Sequence, residues 1–341
     1  MTISSTGTPS LCIVVNNYNY ASYLGEALDS ALKQINPDDE LIVVDDGSTD
    51  ASADILALYE RRSGVRIIRQ KNQGQMKAVR VGIKAAKTDV VVLLDSDDVL
   101  LPGYLQRLRN TYTSNRDISF VMAAADVRGS NPLTTQRNAE YLARMTFPRG
   151  TIGKTKWAAL LFYEFVGTPM SGLSLHTDLA KEIMSMPDSL DATRPLAPML
   201  VKALNIPQAE AEQSGFTADG VIVRAASILG ANKFYETVPG FVYRIHDNNR
   251  FASMSKLAQI YLRQHKKQLF FDTVTRHFNI EYPPRTEELR QEFQGRQFAI
   301  RRWRQLRIRT NYFIAILWSR GSVAHKLAGI YALIMNSKPS A

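Results

Sequence analysis

The chain has 341 residues, 45% hydrophobic and 22% charged, enough for a large core in one domain with an appendage or in two domains. Its 42 Lys and Arg outnumber its 32 Asp and Glu, but the excess is confined to the end: residues 1–254 hold 26 basic and 27 acidic groups, residues 255–341 hold 16 and 5. A uniformly basic nucleic-acid-binding protein is thereby excluded, and the single cysteine, Cys12, excludes both an intramolecular disulfide framework and a cysteine-based zinc site.

Residues 1–10 are polar, lack the basic and apolar regions of a secretory signal, and are expected to be disordered. Residues 11–15 are continuously apolar, the pattern of a strand buried on both faces, with Cys12 as a small core residue. Apolar side chains at helical spacing, from Tyr23 and Leu24 to Ala31 and Leu32, predict a helix over 20–34. A second strand follows at 41–44, the breaker Gly47, and a helix over 51–61 with Ser48 or Asp50 as its N-cap. Strand 65–69, helix 75–86, strand 90–94, helix 101–110 and strand 118–123 continue the alternation. Beyond them, 139–147 and 157–165 read as helices, prolines at 187, 195, 198 and 207 interrupt the chain, 218–229 reads as a helix and 235–245 as a strand. From residue 252 onward the pattern is helical and basic. Its longest apolar stretches, 312–318 and 327–335, fall far short of the ~20 residues that span a bilayer, so the chain is expected in the cytoplasm. Strand and helix alternating in this way predict an α/β fold with right-handed crossovers and a Rossmann-like, mostly parallel sheet flanked by helices. Ligands then bind beyond the carboxyl ends of the strands.

Two acidic clusters sit at such ends: Asp45-Asp46-Gly47-Ser48-Thr49-Asp50 and Asp95-Ser96-Asp97-Asp98. Adjacent carboxylates repel one another unless a cation or hydrogen-bond donors balance them. Asp-x-Asp places two carboxylates about 6–7 Å apart on one side of an extended segment, which suits Mn²⁺ or Mg²⁺. Such clusters also occur as plain turns. Neither a phosphate-binding Gly-x-x-x-x-Gly-Lys-[Ser/Thr] loop nor a Gly-x-Gly-x-x-Gly after the first strand is present.

The segments Cys12-Ile13-Val14-Val15-Asn16-Asn17-Tyr18-Asn19, Glu40–Asp50, Asn72-Gln73-Gly74 with Gly82, and Leu94-Asp95-Ser96-Asp97-Asp98 together resemble the family 2 glycosyltransferases, with the GT-A fold. The likeness is strong over 10–125, looser over 165–250 and absent from the last 90 residues. It implies a nucleotide-sugar-binding half at 11–125, an acceptor-binding half at 126–254 and a helical basic C-terminal extension at 255–341. It implies a nucleoside-diphosphate sugar as donor, a UDP-sugar first, with Asn16, Tyr18, Asp46, Asp95 and Ser96 at the donor, Tyr18 flanking the base and Asp46 accepting from its edge. Asp97 would hold the cation, with His246 of Tyr243-Arg244-Ile245-His246 completing its coordination. Asp219, where relatives carry Glu-Asp and this chain has Ala218-Asp219, would be the catalytic base of an inverting transfer, a position that also suits a helix N-cap. Thr168-Pro169-Met170-Ser171-Gly172 looks like the loop bordering the acceptor, with Ser171 and Gly172 closest. Arg80 replaces the usual Asn and is expected to point to solvent; Arg224 and Arg244 either position phosphate, brace Asp219, or form ordinary ion pairs.

Arginines 296, 301, 302, 304, 307 and 309 interleave with Phe298, Ile300, Trp303, Leu306 and Ile308. Such a helix suits a membrane interface, giving peripheral contact through 296–335 on the inner face of the cytoplasmic membrane. The same stripes would also serve to pack back on the body. The function expected is transfer of one sugar to a glycan or lipid-linked acceptor in cell-surface polysaccharide or glycolipid assembly. A sugar-1-phosphate nucleotidyltransferase and a non-catalytic sugar-binding descendant of a transferase are the alternatives.

Overall fold

Neighbouring residues of the first strand enter two different cores, as a strand buried on both faces requires. In a computed structural model, which describes residues 7–187, 199, 202, 217–246, 256–296 and 302–335, β1 (Leu11–Asn17), β2 (Glu40–Asp45), β3 (Val65–Arg69) and β4 (Val90–Asp95) pair in parallel in the order β3-β2-β1-β4. Leu11, Ile13 and Val15 pack with α1 (Ala21–Leu32), α2 (Ser52–Ala57) and α4 (Tyr104–Ser114). Cys12 and Val14 pack with α3 (Gln75–Ala85), and burial pushes the Cys12 thiol pKa far up, as befits a core residue. Helix α3 lies so close to the sheet that a Cβ on Gly82 would stand 2.4 Å from Val14 Cγ1.

The second half extends this sheet with antiparallel pairs. The strands are β5 (Val99–Leu100), β6 (Phe120–Gly129), β7 (Gly150–Gly153), β8 (Leu173–His176) and β9 (Lys233–Ile245). β8 lies between β4 and β6, antiparallel to both, while β9 runs parallel to β6 and antiparallel to β5 and β7. Helices α5 (Pro132–Ala143), α6 (Lys156–Phe162), α7 (Thr177–Ile183) and α8 (Ala218–Ile228) complete this half. Helix α5 begins earlier than its apolar spacing predicts because Asn131 caps it, accepting from Leu133 N and Thr134 N, with Pro132 at its first position.

Four more helices follow: α9 (Lys256–His277), α10 (Thr286–Gln294), α11 (Arg302–Trp318) and α12 (Val323–Met335). Phe270, Phe293, Tyr312 and Ile316 share the core of α3 and α8, so one stripe of this basic segment does pack on the body. Buried Glu292 seals the junction by accepting from Trp157 N (2.8 Å) and Ala158 N (2.9 Å) in the first turn of α6, and from the Tyr312 hydroxyl. Arg296 is not the interfacial arginine expected: it is buried against Glu164, N–O 2.9 Å, because a guanidinium inside the body needs a carboxylate. Residues 297–301, with Phe298, Ile300 and Arg301, lie outside the described residues, as do residues 1–6 of the N-terminus expected to be disordered and Pro195, Pro198 and Pro207. Ser10, next to β1, is fixed by donating from its backbone N and its Oγ to Asp89 (2.9 and 2.8 Å).

Asp39, just before β2, is buried with Arg109 of α4 and also accepts from Leu11 N (2.8 Å) and Asn36 N (2.6 Å). Arg109→Met leaves that carboxylate buried without its cation and is expected to cost about 3–5 kcal/mol in urea unfolding. Arg62→Ala, which breaks the half-exposed pair with Asp29, should cost no more than about 1 kcal/mol.

Candidate active site

The carboxyl ends of β1, β2 and β4 open on a cleft of about 450 Å³, closed opposite by the first turn of α8, the turn at Pro169 and Met170, and Tyr243 of β9. Strand register alone brings the first donor residues together. Asn16 lies beside Asp95, Nδ2–Oδ1 3.2 Å, and Asn17 beside Asp45, Nδ2–Oδ1 2.8 Å. Tyr18 stands at the rim, 40% exposed, with its ring open to a planar ligand. Asp46 lines the cleft while its two oxygens accept from Gln70 Nε2 (2.6 Å), Gln73 N (2.9 Å) and Gly74 N (2.8 Å), fixing the loop that enters α3. Gly47 permits this approach: its φ is +75°, and a Cβ would lie 2.8 Å from Asn72 N.

The end of β4 is the most charged part of the site. Asp95, Asp97 and Asp98 each bring a carboxylate oxygen within 4.8 Å of the other two. Burial pushes Asp95 up to about 7, and the Asp97 charge adds to it; Asp98 is raised by the same two causes in the same order. Donors hold the group from four directions. Asn16 and Gln75 (Nε2, 3.0 Å) reach Asp95; Ser171 Oγ (2.6 Å) and Arg244 N (3.0 Å) reach Asp98; His246 Nε2 lies 3.0 Å from Asp97 Oδ2. The two residues expected to share a cation therefore meet, and His246 is kept in place by stacking on Tyr23 (centroids 5.0 Å apart). Arg244 anchors the turn itself, with Nε 2.5 Å from Asp97 O and Nη1 2.5 Å from Glu26 Oε2. Ser96, buried, also lines the cleft. Carboxylate oxygens at this spacing, whose charge is disfavoured by burial and mutual repulsion until a cation balances it, fit a hard divalent ion. The Asn16 Oδ1, buried and without a hydrogen-bond partner, faces the same region.

On the opposite wall, Asp219 occupies the first turn of α8 and lines the cleft. It is not the N-cap: Thr217 takes that role, accepting from Gly220 N, while Asp219 accepts from the same N–H at 2.7 Å. Arg224, one turn on, donates to Gly220 O (2.9 Å) with its guanidinium 3.8 Å from the Tyr163 ring centre, so it braces this turn. Arg80 points inward rather than to solvent, donating to the carbonyls of Met184 and Met186 past the end of α7, where those unpaired carbonyls attract a cation. Pro169 and Met170 line the cleft, whereas Ser171 and Gly172 are buried behind it. The Ser171 hydroxyl accepts from Asp95 N (3.0 Å) and donates to Asp98, so it ties the carboxylates to β8 and has no face for an acceptor. Gly172 is set by packing: a Cβ there would lie 2.7 Å from Phe241. Asp98, Gln75, Asn72, Thr217 and Tyr243 were not singled out for a role by sequence; Asp98 lies in the acidic cluster, Asn72 and Tyr243 lie in motif segments, and Gln75 and Thr217 carry no signal of their own.

Known proteins share sequence and fold with the chain. The family description "Glycosyl transferase family 2" matches residues 12–168. An uncharacterized glycosyltransferase of Nostoc sp. is 29% identical over 245 residues, 71% of this chain and 67% of the relative. The uncharacterized glycosyltransferase EpsJ of Bacillus subtilis is 36% identical over 109 residues, 32% of each protein, so the chain spans only about a third of that relative's length. The structure of S. aureus TarS 1-349 in complex with UDP has a TM-score of 0.50 at 16% identity, covering 95% of this chain and 88% of that one, a likeness of fold. Residues 12–168 are thus similar in sequence to the family 2 glycosyltransferases, and the fold around them is of the GT-A kind.

Proposed function

We propose that the protein is a metal-dependent inverting glycosyltransferase that moves one sugar from a nucleoside diphosphate to a hydroxyl of a glycan or lipid-linked acceptor, in cell-surface polysaccharide or glycolipid assembly at the inner face of the cytoplasmic membrane. The observation that carries the reading is the pairing, across one cleft, of the Asp95–Asp97 carboxylates with Asp219. A uridine diphosphate sugar is the first donor to test. Tyr18 offers a face for the base, and Asn16 and Ser96 border the nucleoside and ribose. Asp46, its oxygens already shared with the 70–74 loop, acts at the base edge through the loop it fixes as much as by direct contact.

Among the described residues the cleft lining contains no Lys or Arg, so a diphosphate entering it meets carboxylates and amides. Mn²⁺ or Mg²⁺ held by Asp97 and Asp95, with Asp98 and His246 behind, would neutralise the charge that develops on the leaving diphosphate. Asp219, opposite, takes the proton from the acceptor hydroxyl as its oxygen attacks the anomeric carbon. The bond from that carbon to the β-phosphate oxygen breaks on the other side, so a single displacement inverts the centre. Pro169, Met170 and Thr217 form the wall over which the acceptor approaches, and Arg224 keeps the turn carrying Asp219 from shifting.

Two measurements test the reading. Asp219→Asn should lower kcat for sugar transfer about 10²–10⁴-fold while leaving the affinity for nucleoside diphosphate unchanged. Full activity in this variant would remove Asp219 from the role of base. Asp97→Ala should abolish Mn²⁺-dependent binding of uridine diphosphate in calorimetry, since it removes the ligand facing the cleft and leaves the Arg244 bond to the residue 97 carbonyl. Equal binding with and without metal in the unaltered protein would overturn the metal assignment.

A further inference from the structure

Among the described residues, α11 and α12 pack on the body and each keeps an exposed outward face. On α12, Val323, Leu327, Tyr331 and Ile334 recur at helical spacing and all point outward, while Gly329, Ala332 and Leu333 face inward. Val323 is 74% exposed and Tyr331 62%. The end of α11 continues the surface with Leu317 and with Trp318, 79% exposed. The two helices are neighbours joined by a four-residue connection, and Arg309 of α11 donates to the carbonyl of Leu333 on α12. A contiguous exposed apolar surface of this kind marks an interaction site.

Charge decides between partners. After Glu292 the sequence contains nine Lys or Arg and no Asp or Glu; Arg296 pairs with buried Glu164. Two copies of this hairpin placed face to face would set like charges against each other, whereas an anionic lipid leaflet would attract them. No helix among the described residues is long and apolar enough to cross a membrane; α12, with 13 residues, is about 20 Å long. A short helix with one apolar face lies in the plane of an interface.

We propose that the outward face of the α11–α12 hairpin seats the protein on an anionic lipid surface, with α12 at the depth of the headgroups and Trp318 at the boundary. The contact centres on 313–335 rather than on the arginine-rich stretch of sequence that begins the segment. This deepens, and for its purpose rests on, the reading that the acceptor is lipid-linked, since it would hold the catalytic domain where such an acceptor lies.

The test is flotation of the full chain with vesicles of phosphatidylcholine alone and of equal parts phosphatidylcholine and phosphatidylglycerol. The protein should float with the anionic vesicles, less so in high salt, and at least about tenfold less with the neutral ones. Leu327→Glu combined with Tyr331→Glu should abolish flotation with melting temperature unchanged, because both positions are exposed; Trp318→Glu serves as an independent variant if the pair misfolds. Equal flotation on both vesicle types, or flotation unaffected by either variant, would overturn the proposal. So would a dimer in light scattering that the same variants dissociate, which would assign the face to a second copy. Release of nucleoside diphosphate with a soluble acceptor should be the same in the variants as in the unaltered protein, so failure of the lipid contact and failure of the transfer reading remain separate results.

Discussion

The mutual repulsion of Asp95, Asp97 and Asp98 is the constraint to which the rest of the site answers. Three carboxylates crowd the end of one strand, and burial of Asp95 and Asp98 in the folded protein sharpens their repulsion. Here each is met by a donor from a different part of the chain: Asn16 from β1, Gln75 from α3, Ser171 from the turn before β8, and the Arg244 backbone and His246 ring from β9 and its end. The site therefore exists only when both halves of the sheet are assembled. Insertion of β8 beside β4 delivers Ser171, and pairing of β9 with β5 and β6 delivers Arg244 and His246.

The C-terminal helices enter this chain of dependence through the second half. Glu292 places its carboxylate on the free N–H groups at the start of α6, and Arg296 neutralises Glu164 just beyond the end of that helix. Helix α6 packs against α8, whose first turn carries Asp219. Buried charges so arranged add little net stability but penalise any other packing, since either partner left alone inside the body is costly. The basic segment is thus a brace for the wall with the proposed base on one side and an open surface on the other.

Much of this was legible in the sequence, and the physical reasons for the remainder are specific. The first four strands and their helices show as apolar runs and helical spacing because both faces of the parallel sheet are buried. The acidic ends show because carboxylates after an apolar run have no packing explanation. Strands β5, β7 and β8 span two to four residues, too short for a period of two to register. The direction of Arg80 and Arg296 was hidden because their partners, two carbonyls beyond α7 and a carboxylate 132 positions away in sequence, become neighbours only on folding. Ser171 resembled a residue for an acceptor because a small polar residue in a loop looks the same whether its hydroxyl faces a ligand or, as here, two buried aspartates.

The distribution of charge brings these strands of argument together. Arg80, Arg224 and Arg244, the arginines nearest in sequence to the site motifs, all donate to groups of the protein itself. The described lining of the cleft is left with carboxylates, amides and hydroxyls. A diphosphate bound directly by fixed guanidinium groups would be stabilised before and after transfer alike, which gives tight product without a faster step. A cation held by Asp97 and Asp95, as proposed, would instead supply positive charge where negative charge grows on the leaving group. The excess of basic residues correspondingly lies away from the cleft, in the last quarter of the chain, where the proposed anionic surface would meet it without competing for the donor.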